Sequence, residues 1–218
     1  MSDTPFKIIL LRHAESEKNI KKIHGGQGEA LTERGVGQAV AFAHRLADLL
    51  NIGELKLLAS TSFHTRRTAE IIASELGLPV EKPLDFRPLY LGVADGLSEG
   101  EMKERYPREQ ELFVRWRHRE IDIKALTVPE MEPYMDFWRR GEGLVDALPR
   151  GAHSVLVCSN SLMILLANLL RGNHPHTTDN YRHLDIGNCE AIAFETTDFE
   201  SFSLNPDITS VRLPEENW

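Results

Sequence analysis

Cysteine and long apolar runs are both scarce in this sequence. Cys158 and Cys189 are the two cysteines among 218 residues, too few for a disulfide framework, and both lie in apolar or strand-like surroundings. The N-terminal apolar run covers only residues 8–11, and no stretch approaches the roughly 20 apolar residues of a membrane span. We therefore expect a protein of a reducing, cytoplasmic compartment, with no export signal and no membrane partner.

An excess of basic residues is also lacking. Lysine and arginine number 25 against 33 aspartates and glutamates, which gives a formal net charge of -8. No basic stripe is present that would bind a nucleic-acid backbone, so a nucleic-acid partner is not expected. Local positive charge inside a cleft remains compatible with this composition.

Internal repeats, low-complexity tracts and linker-like breaks are absent as well. With 41% hydrophobic residues, the 218-residue chain fits one domain, 1–218, better than two small ones. Residues 83–149 are less regular, with helices expected near 98–106 and 131–148, and are interpreted as a partly helical insertion that partly covers the site. The sequence leaves open whether two chains form a homodimer.

Short apolar runs alternate with amphipathic segments along the chain. Continuous apolar runs predict buried strands at residues 6–11, 55–59 and 155–158. Apolar residues at three- and four-residue intervals predict helices at 33–50, 65–76 and 161–170. Expected helix boundaries are Thr32 as an N-cap and Gly77 and Gly172 at C-terminal ends. This alternation predicts an α/β fold with a mostly parallel sheet and helices on both faces.

Polar residues follow the predicted strands. Ligands of such sheets bind beyond the carboxyl ends of the strands, which places the following at one rim: Arg12, His13, residues 60–64, Ser159 and Asn160. Transfer of a phosphoryl group to histidine needs an accessible imidazole nitrogen with cations or donors around it. Arg12 can hold phosphate oxygens with two parallel hydrogen bonds, and His13 follows it at the strand end. An Arg-His pair at this place is also typical of an ordinary surface.

The residues around His13 form a longer motif. The segment LLRHAESEKN, continuing through HGGQGEALTERGVGQA, resembles the opening signature of the histidine phosphatase (phosphoglycerate mutase-like) superfamily. Ala14 and Ser16 replace the usual glycine and threonine, and the matching positions are Arg12, His13, Glu15, Asn19, Leu31, Thr32, Gly35 and Gln38. The segments ASTSFHTRRTAEIIA and LGVADGLSEGEMKERYP are similar to later family motifs. The resemblance covers most of residues 6–172 and implies the family fold, with His13 as the phosphohistidine.

Three further positions, each expected to be catalytic, depart from the family pattern. His64 stands where the second phosphate-binding arginine belongs, and Pro88 stands near the position of the general-acid glutamate. The second histidine, which follows the third strand, is also missing. In one register Asn160 takes its place, and in another register Cys158 does. Losing one such donor lowers the rate of a reaction about 10²- to 10³-fold, so these losses predict weakened or absent turnover.

Other residues of the sequence are candidates for the missing acid, for a metal site or for the cavity wall. Asp85 or Asp95 could supply the missing acid only if the loop between them is arranged differently. His24, His64, His174 and His176 lack the spacing of a metal site, and a solvated loop is the favoured interpretation for the last two. The glycine-rich loop around Gln27 is expected to form a mobile edge of the phosphate site. The segment RWRHRE, residues 115–120, is typical of a solvated helix face, and the alternative is that it lines the cleft.

The leading hypothesis is a phosphomonoester hydrolase that acts on a small phosphorylated metabolite without a metal or other cofactor. In this hypothesis His13 receives the phosphoryl group, Arg12 orients it, and five residues bind the substrate: Glu15, Asn19, Gln27, His64 and Asn160. The alternative is a catalytically inactive or repurposed family member that binds a small anionic ligand. A third hypothesis, in which His13 acts as a general base in a different reaction, has no positive feature in the sequence. A mutase is less favoured than a phosphatase, because a mutase must recapture its product in a strongly charged pocket.

Overall fold

One mixed β-sheet organises the chain in a computed structural model that describes residues 6–26, 28–81, 87–149, 152–173, 181, 183–196 and 210–213. Its strands are β1 Phe6–Arg12, β2 Leu55–Ala59, β3 His153–Cys158, β4 Ala191–Thr196 and β5 Ser210–Leu213. They lie in the order β2-β3-β1-β4-β5. The neighbours β2, β3 and β1 run parallel, and β4 and β5 add an antiparallel edge.

Seven α-helices occur within the described ranges. They are α1 Glu17–Ile20, α2 Glu33–Leu49, α3 Phe63–Leu76, α4 Glu99–Arg105, α5 Pro107–Arg117, α6 Tyr134–Asp146 and α7 Asn160–Leu170. Single 3₁₀ turns at Ile52–Glu54, Gly92–Ala94 and Ile123–Ala125 connect some of them. None of the helices in these ranges has the length and apolar character needed to cross a bilayer.

The helices cover both faces of the sheet, as the alternating sequence pattern predicts. Ile8 and Leu10 of β1 pack into one apolar cluster with residues of α4, α5, α6 and α7. Ile9 and Leu11 point to the opposite face and pack with residues of α2 and α3. A strand buried on both sides requires a continuous apolar run, which explains the sequence FKIILL. The predicted α/β class is confirmed.

Local capping signals set several boundaries at the predicted residues. The Thr32 side chain accepts a hydrogen bond from the Gly35 amide at 2.9 Å and begins α2, and Gly77 ends α3 with a φ of 65°. Helix α3 starts two residues earlier than predicted, because Ser62 is the extended residue that precedes it. Helix α5 was not predicted as a helix: it begins with Pro107, which is favourable in a first helical turn.

The close packing of α2 against the turn after β1 generates a test of the fold. A Cβ at Gly35 would lie 2.0 Å from the Glu15 carbonyl oxygen, whereas a Cβ at Gly37 in the same helix meets nothing within 4 Å. Gly35→Ala should therefore lower the free energy of unfolding by about 1–3 kcal/mol. Gly37→Ala should leave it unchanged or raise it by up to about 1 kcal/mol. Urea unfolding of both variants measures the difference, and equal responses would contradict this packing.

Candidate active site

A cavity of about 330 Å³ opens at the carboxyl ends of the parallel strands. Several separate segments supply its walls, among them the end of β1 with α1, the loop before α2, the start of α3 and the start of α7. The described residues that line it are Arg12, His13, Lys18, Asn19, Lys22, Ile23, His24, Gly25, Gly26, His64, Pro88, Leu89, Leu91, Glu99, Phe113, Trp116, Arg117, Leu126, Ser159, Asn160, Ser161 and His183. Sequence positions predicted from several distant motifs therefore meet in one place.

His13 stands at the end of β1 with only 4% of its surface exposed. Its Nδ1 donates a hydrogen bond to the Ala14 carbonyl oxygen at 2.8 Å, because that oxygen can only accept. The other ring nitrogen, Nε2, makes no hydrogen bond to any residue that the structure describes. The turn itself is held by the Ala14 amide, which donates to Thr68 Oγ1 at 3.1 Å. The imidazole is thus oriented with a single tautomer and a free acceptor nitrogen.

His64 packs directly against His13, with ring centroids 3.9 Å apart and planes inclined by 51°. Burial lowers the pKa of His64 to about 4, and the cations Lys18 and Arg12 contribute in the same direction. Burial also holds the pKa of His13 well below its usual value, with further lowering by His64 and Arg12. Both rings are therefore neutral at pH 7. His64 occupies the position expected for a second arginine but brings no positive charge there.

Arg12 supplies a cation beside the two imidazoles. Its Nη1 donates to the Ile186 carbonyl oxygen, and its buried Nε has no partner among the described residues. Burial lowers its pKa, while Glu190 and Asp185 oppose that shift. The guanidinium stays charged because its ordinary pKa lies so far above neutrality.

Lys18 is a second cation in the cavity, and it was not predicted as a site residue. It lies on α1, next to Asn19, and forms no ion pair with any described residue. Burial lowers its pKa, an effect that Asp95 opposes and Arg12 reinforces. Its charge reaches both His13 and His64, since it lowers the pKa of each. Proximity to the Arg-His motif was the one signal that could have identified it.

Asn19 is a predicted substrate-binding residue, and the structure brings it to the cavity. Its Oδ1 accepts hydrogen bonds from the Ser16 amide at 3.0 Å and from Asn188 Nδ2 at 3.1 Å. A backbone amide is always a donor, which fixes the orientation of the Asn19 side chain. The Nδ2 group of Asn19 is then the donor that remains for a ligand. Asn188 also donates to the His13 carbonyl oxygen at 3.0 Å and so ties both residues together.

Of the two residues that the sequence offers for the position of the second histidine, Asn160 lines the cavity and Cys158 is not among the described lining residues. The Oδ1 atom of Asn160 is buried without a partner among the described residues, and the residue lines the cavity. Cys158 is 1% exposed, and its thiol donates to the Leu156 carbonyl oxygen at 3.4 Å. Burial raises the pKa of the Cys158 thiol, which therefore stays protonated.

No carboxylate stands at the expected acid position, because Pro88 lines the cavity there. Among the described lining residues, Glu99 is the one carboxylate, and it accepts a hydrogen bond from Arg117 Nη1 at 2.7 Å. That bond lowers the pKa of Glu99. Glu99 is thus ionised at neutral pH and paired with a cation, which makes it a poor proton donor.

Aromatic rings form another part of the cavity lining. His24 stacks on Phe113 with centroids 4.8 Å apart, and Trp116 meets His183 edge to face at 4.7 Å. Trp116 and Arg117 belong to the RWRHRE segment, so this part of it lines the cleft instead of forming only a solvated face. His183 was not predicted, since neither its spacing nor its neighbours carry a family motif.

Two of the predicted substrate-binding residues are not brought to the cavity wall. Glu15 is absent from the described lining: its carboxylate accepts hydrogen bonds from Thr32 Oγ1 at 2.9 Å and Arg34 Nη1 at 3.0 Å. It stabilises the turn before α2 in this structure. Gln27 lies outside the described residues, although its neighbours Gly25 and Gly26 line the cavity.

The candidate acids and metal ligands are placed as follows. Asp95 lies against Gly25, where a Cβ would meet its Oδ1 at 1.8 Å, and it is not among the described lining residues. Asp85, His174 and His176 lie outside the described residues. Within the described ranges, no group of three or more histidine, cysteine, aspartate or glutamate side chains is arranged to hold a metal ion.

Comparison with known proteins gives a consistent assignment. The profile of the histidine phosphatase superfamily (branch 1) matches residues 8–205. The 6-phosphofructo-2-kinase/fructose-2,6-bisphosphatase of Gallus gallus is 34% identical over 168 residues, which cover 77% of this chain and 33% of that protein. The human form 4 of the same protein is 33% identical over the same share of each chain. The chain thus spans about a third of the length of these curated relatives.

Solved structures of two phosphatases share the fold. Mycobacterial glucosyl-3-phosphoglycerate phosphatase matches with a TM-score of 0.72 and 23% identity, over 94% of this chain and 98% of that one. The alpha-ribazole phosphatase of Shigella flexneri matches with a TM-score of 0.68 and 19% identity, over 87% and 90% of the two chains. At these identities the likeness concerns the fold alone.

The fold and the site define an α/β protein of the phosphoglycerate mutase-like class, with an Arg-His pair at the end of the central parallel strand. The chain belongs to the histidine phosphatase superfamily, branch 1. The resemblance first seen in the motif around His13 is therefore confirmed.

The depressed pKa of His64 predicts a loss of stability in acid. Unfolded histidine binds a proton near pH 6.5 and folded His64 only near pH 4, so the unfolded state gains protons first as the pH falls. The free energy of unfolding should drop by about 3 kcal/mol between pH 6.5 and 4 on account of this residue. His64→Asn should show a smaller drop. Urea unfolding across this pH range measures it, and a ring titration of His64 near pH 6.5 by NMR would refute the expectation.

Proposed function

We propose that the protein is a phosphomonoester hydrolase that acts on a small phosphorylated molecule through a phosphohistidine at His13. The observation that carries the proposal is the neutral, oriented imidazole whose Nε2 is free beside the cations Arg12 and Lys18. Two solved structures with the same fold, and the curated relatives, are phosphatases by name, which supports the reaction class.

The reaction has two displacement steps. In the first, the Nε2 lone pair of His13 forms a bond to phosphorus, and the ester P–O bond breaks with its electron pair leaving on the oxygen. In the second, a water oxygen bonds to phosphorus, the N–P bond breaks, and its electron pair returns to Nε2. The proton of the attacking water passes to solvent, and inorganic phosphate is released. A nucleophilic histidine must be neutral. Burial lowers the pKa of His13, so its ring stays neutral even at pH values where an ordinary histidine is protonated.

The surrounding groups stabilise the charge of the transferring phosphoryl group. Arg12 and Lys18 contribute positive charge, and Asn19 Nδ2 contributes a neutral donor. Arg12 lines the cavity, and its Nε is a buried donor without a partner in the described part of the chain. Buried donors are normally hydrogen-bonded, which supports an acceptor such as a phosphate oxygen beside Arg12. Arg12 and Lys18 are positively charged, and an ionised phosphate ester is negatively charged. Their mutual attraction offsets the cost of removing these charges from water.

Binding of an anionic ligand without turnover is the second candidate function. It is favoured by the substitution of His64 for an arginine and by Pro88 at the acid position, which together remove a charge and a proton donor. The same cations would hold phosphate or another small anion in the cavity. Saturable phosphate binding without any turnover that depends on His13 would establish this function.

Replacing the nucleophile tests the hydrolase proposal. His13→Ala should abolish phosphate release from a panel of phosphomonoesters between about pH 4.5 and 8, by at least about 10³-fold in kcat. His44→Ala is the matched control, because His44 is an exposed histidine that pairs with Glu75 on the surface. Release of phosphate at equal rates by wild type and His13→Ala would refute the proposal.

Lys18 supplies a second test at the same site. Lys18→Met should lower kcat/KM about 10²-fold and weaken inhibition by inorganic phosphate, because a cation of the cavity lining is lost. Lys18→Arg should restore most of the activity. Lys21→Met is the control, since Lys21 lies three residues further along and pairs with Glu29 on the surface. If Lys18→Met and Lys21→Met behave alike, Lys18 does not bind the phosphoryl group.

A further inference from the structure

The cavity lining combines cations with aromatic rings. Arg12 and Lys18 line it together with His13, and Phe113 and Trp116 line it as well. His24 and Phe113 stack with ring centroids 4.8 Å apart. Aromatic walls favour flat, weakly polar groups, which they contact through offset or edge-to-face packing. The organic part of a phosphate ester bound at His13 would therefore meet aromatic side chains in the same cavity.

Among the described residues that line the cavity, the charged side chains other than Arg12 and Lys18 are paired or exposed. Arg117 is engaged by Glu99 at 2.7 Å, so the pair contributes little net charge. Burial lowers the pKa of both His24 and His183, which are neutral at pH 7. Lys22 also lines the cavity, but its side chain is exposed. A substrate with one phosphate and an uncharged remainder fits this distribution better than a bisphosphate.

The third observation concerns the leaving group. Pro88 lines the cavity near the position that the family pattern gives to the general acid, and Glu99, the one carboxylate among the described lining residues, is held ionised by Arg117. Without protonation, the departing oxygen must leave as an anion. A phenol, with a pKa of roughly 10 like that of the tyrosine side chain, does so far more readily than an alkyl alcohol. An alkyl alcohol is comparable in acidity to water, at roughly 15.7.

We infer that the substrate is an aryl phosphate: a monoester with a single phosphate whose leaving oxygen is attached to an aromatic ring and departs without a proton. This inference rests on the proposed hydrolase function. The phosphate binds at Arg12 and Lys18. The aromatic ring of the substrate packs against the side of the cavity that Phe113 and Trp116 line. Breaking the P–O bond releases an aryl oxide, which takes its proton from water after it leaves.

Turnover of a substrate panel is the first test. The kcat/KM of wild type for phenyl phosphate should be at least about 10²-fold above its kcat/KM for glycerol 2-phosphate and for fructose 2,6-bisphosphate. The reason is that general acid catalysis, which alkyl esters need, contributes about 10²- to 10⁴-fold to the rate. Phosphotyrosine and a phosphotyrosyl peptide, both aryl phosphates, show whether a free small molecule or a protein side chain is preferred. Alkyl phosphates within tenfold of phenyl phosphate would overturn the inference.

Restoring a carboxyl group at position 88 tests the leaving-group argument separately. Pro88→Glu should raise kcat/KM for glycerol 2-phosphate at least tenfold above Pro88→Gln, which loses the same proline but cannot donate a proton. The kcat/KM for 4-nitrophenyl phosphate should differ less than about twofold between these variants, since its leaving group needs no proton. An equal gain on both substrates would contradict a missing acid as the cause.

Binding measured without turnover separates this inference from the hydrolase proposal. Phenylphosphonate, which has no ester bond, should bind wild type at least tenfold more tightly than methylphosphonate in calorimetry. Trp116→Leu should reduce that ratio to threefold or less, whereas Val114→Ala, at an exposed position of α5, should leave it unchanged. If no substrate is turned over but the preference for phenylphosphonate is intact, the hydrolase proposal is refuted, whereas recognition of an aromatic group is not. Equal binding of the two phosphonates would overturn the aryl inference even if turnover occurs.

Discussion

The parallel register of β1 and β3 is the constraint on which the site depends. Arg12 lies opposite Cys158, and the His13 amide donates to the Cys158 carbonyl oxygen at 3.0 Å. Side chains alternate along a strand, so a slip of one residue would exchange the faces to which Arg12 and His13 point. The same register places Ser159 and Asn160 beside them, at the start of α7. Asn188 then fastens the turn from the other side by donating to the His13 carbonyl oxygen.

Burial sets the protonation of this site and, through it, the kind of ligand that the site can hold. His13 and His64 stay neutral because desolvation opposes their charged forms, and the nearby cations act in the same direction. Desolvation also lowers the pKa of Arg12 and of Lys18, and the nearby acids Glu190, Asp185 and Asp95 only oppose that shift. Burial thus keeps the two imidazoles neutral and leaves positive charge beside them, which an anion in the cavity would complement.

Features encoded by neighbouring residues could be predicted, whereas features that depend on distant contacts could not. The strand ends, Thr32 and Gly77 follow from local propensity and capping, and His13 follows from a contiguous motif. Strands β4 and β5, and the cavity residue His183, come from the far C-terminal part of the chain, where pairing with β1 decides the structure. Glu15 shows the limit of a motif match. It matches the family pattern, yet its carboxylate accepts hydrogen bonds from Thr32 and Arg34 at the start of α2 and is not part of the described cavity lining.

Hydrogen bonds hold the backbone around Pro88, which lines the cavity. Arg140 donates to the carbonyl oxygens of Arg87 and Pro88 at 2.9 and 3.4 Å, and Glu132 binds the same guanidinium at 2.8 Å. The Leu89 amide donates to Ser161 Oγ at 3.3 Å, which joins this segment to the start of α7. The backbone on both sides of position 88 is therefore held in place beside the cavity. Since the family fold is retained, the chemistry of this member depends on the side chains at positions such as 64, 88 and 160 and not on the fold.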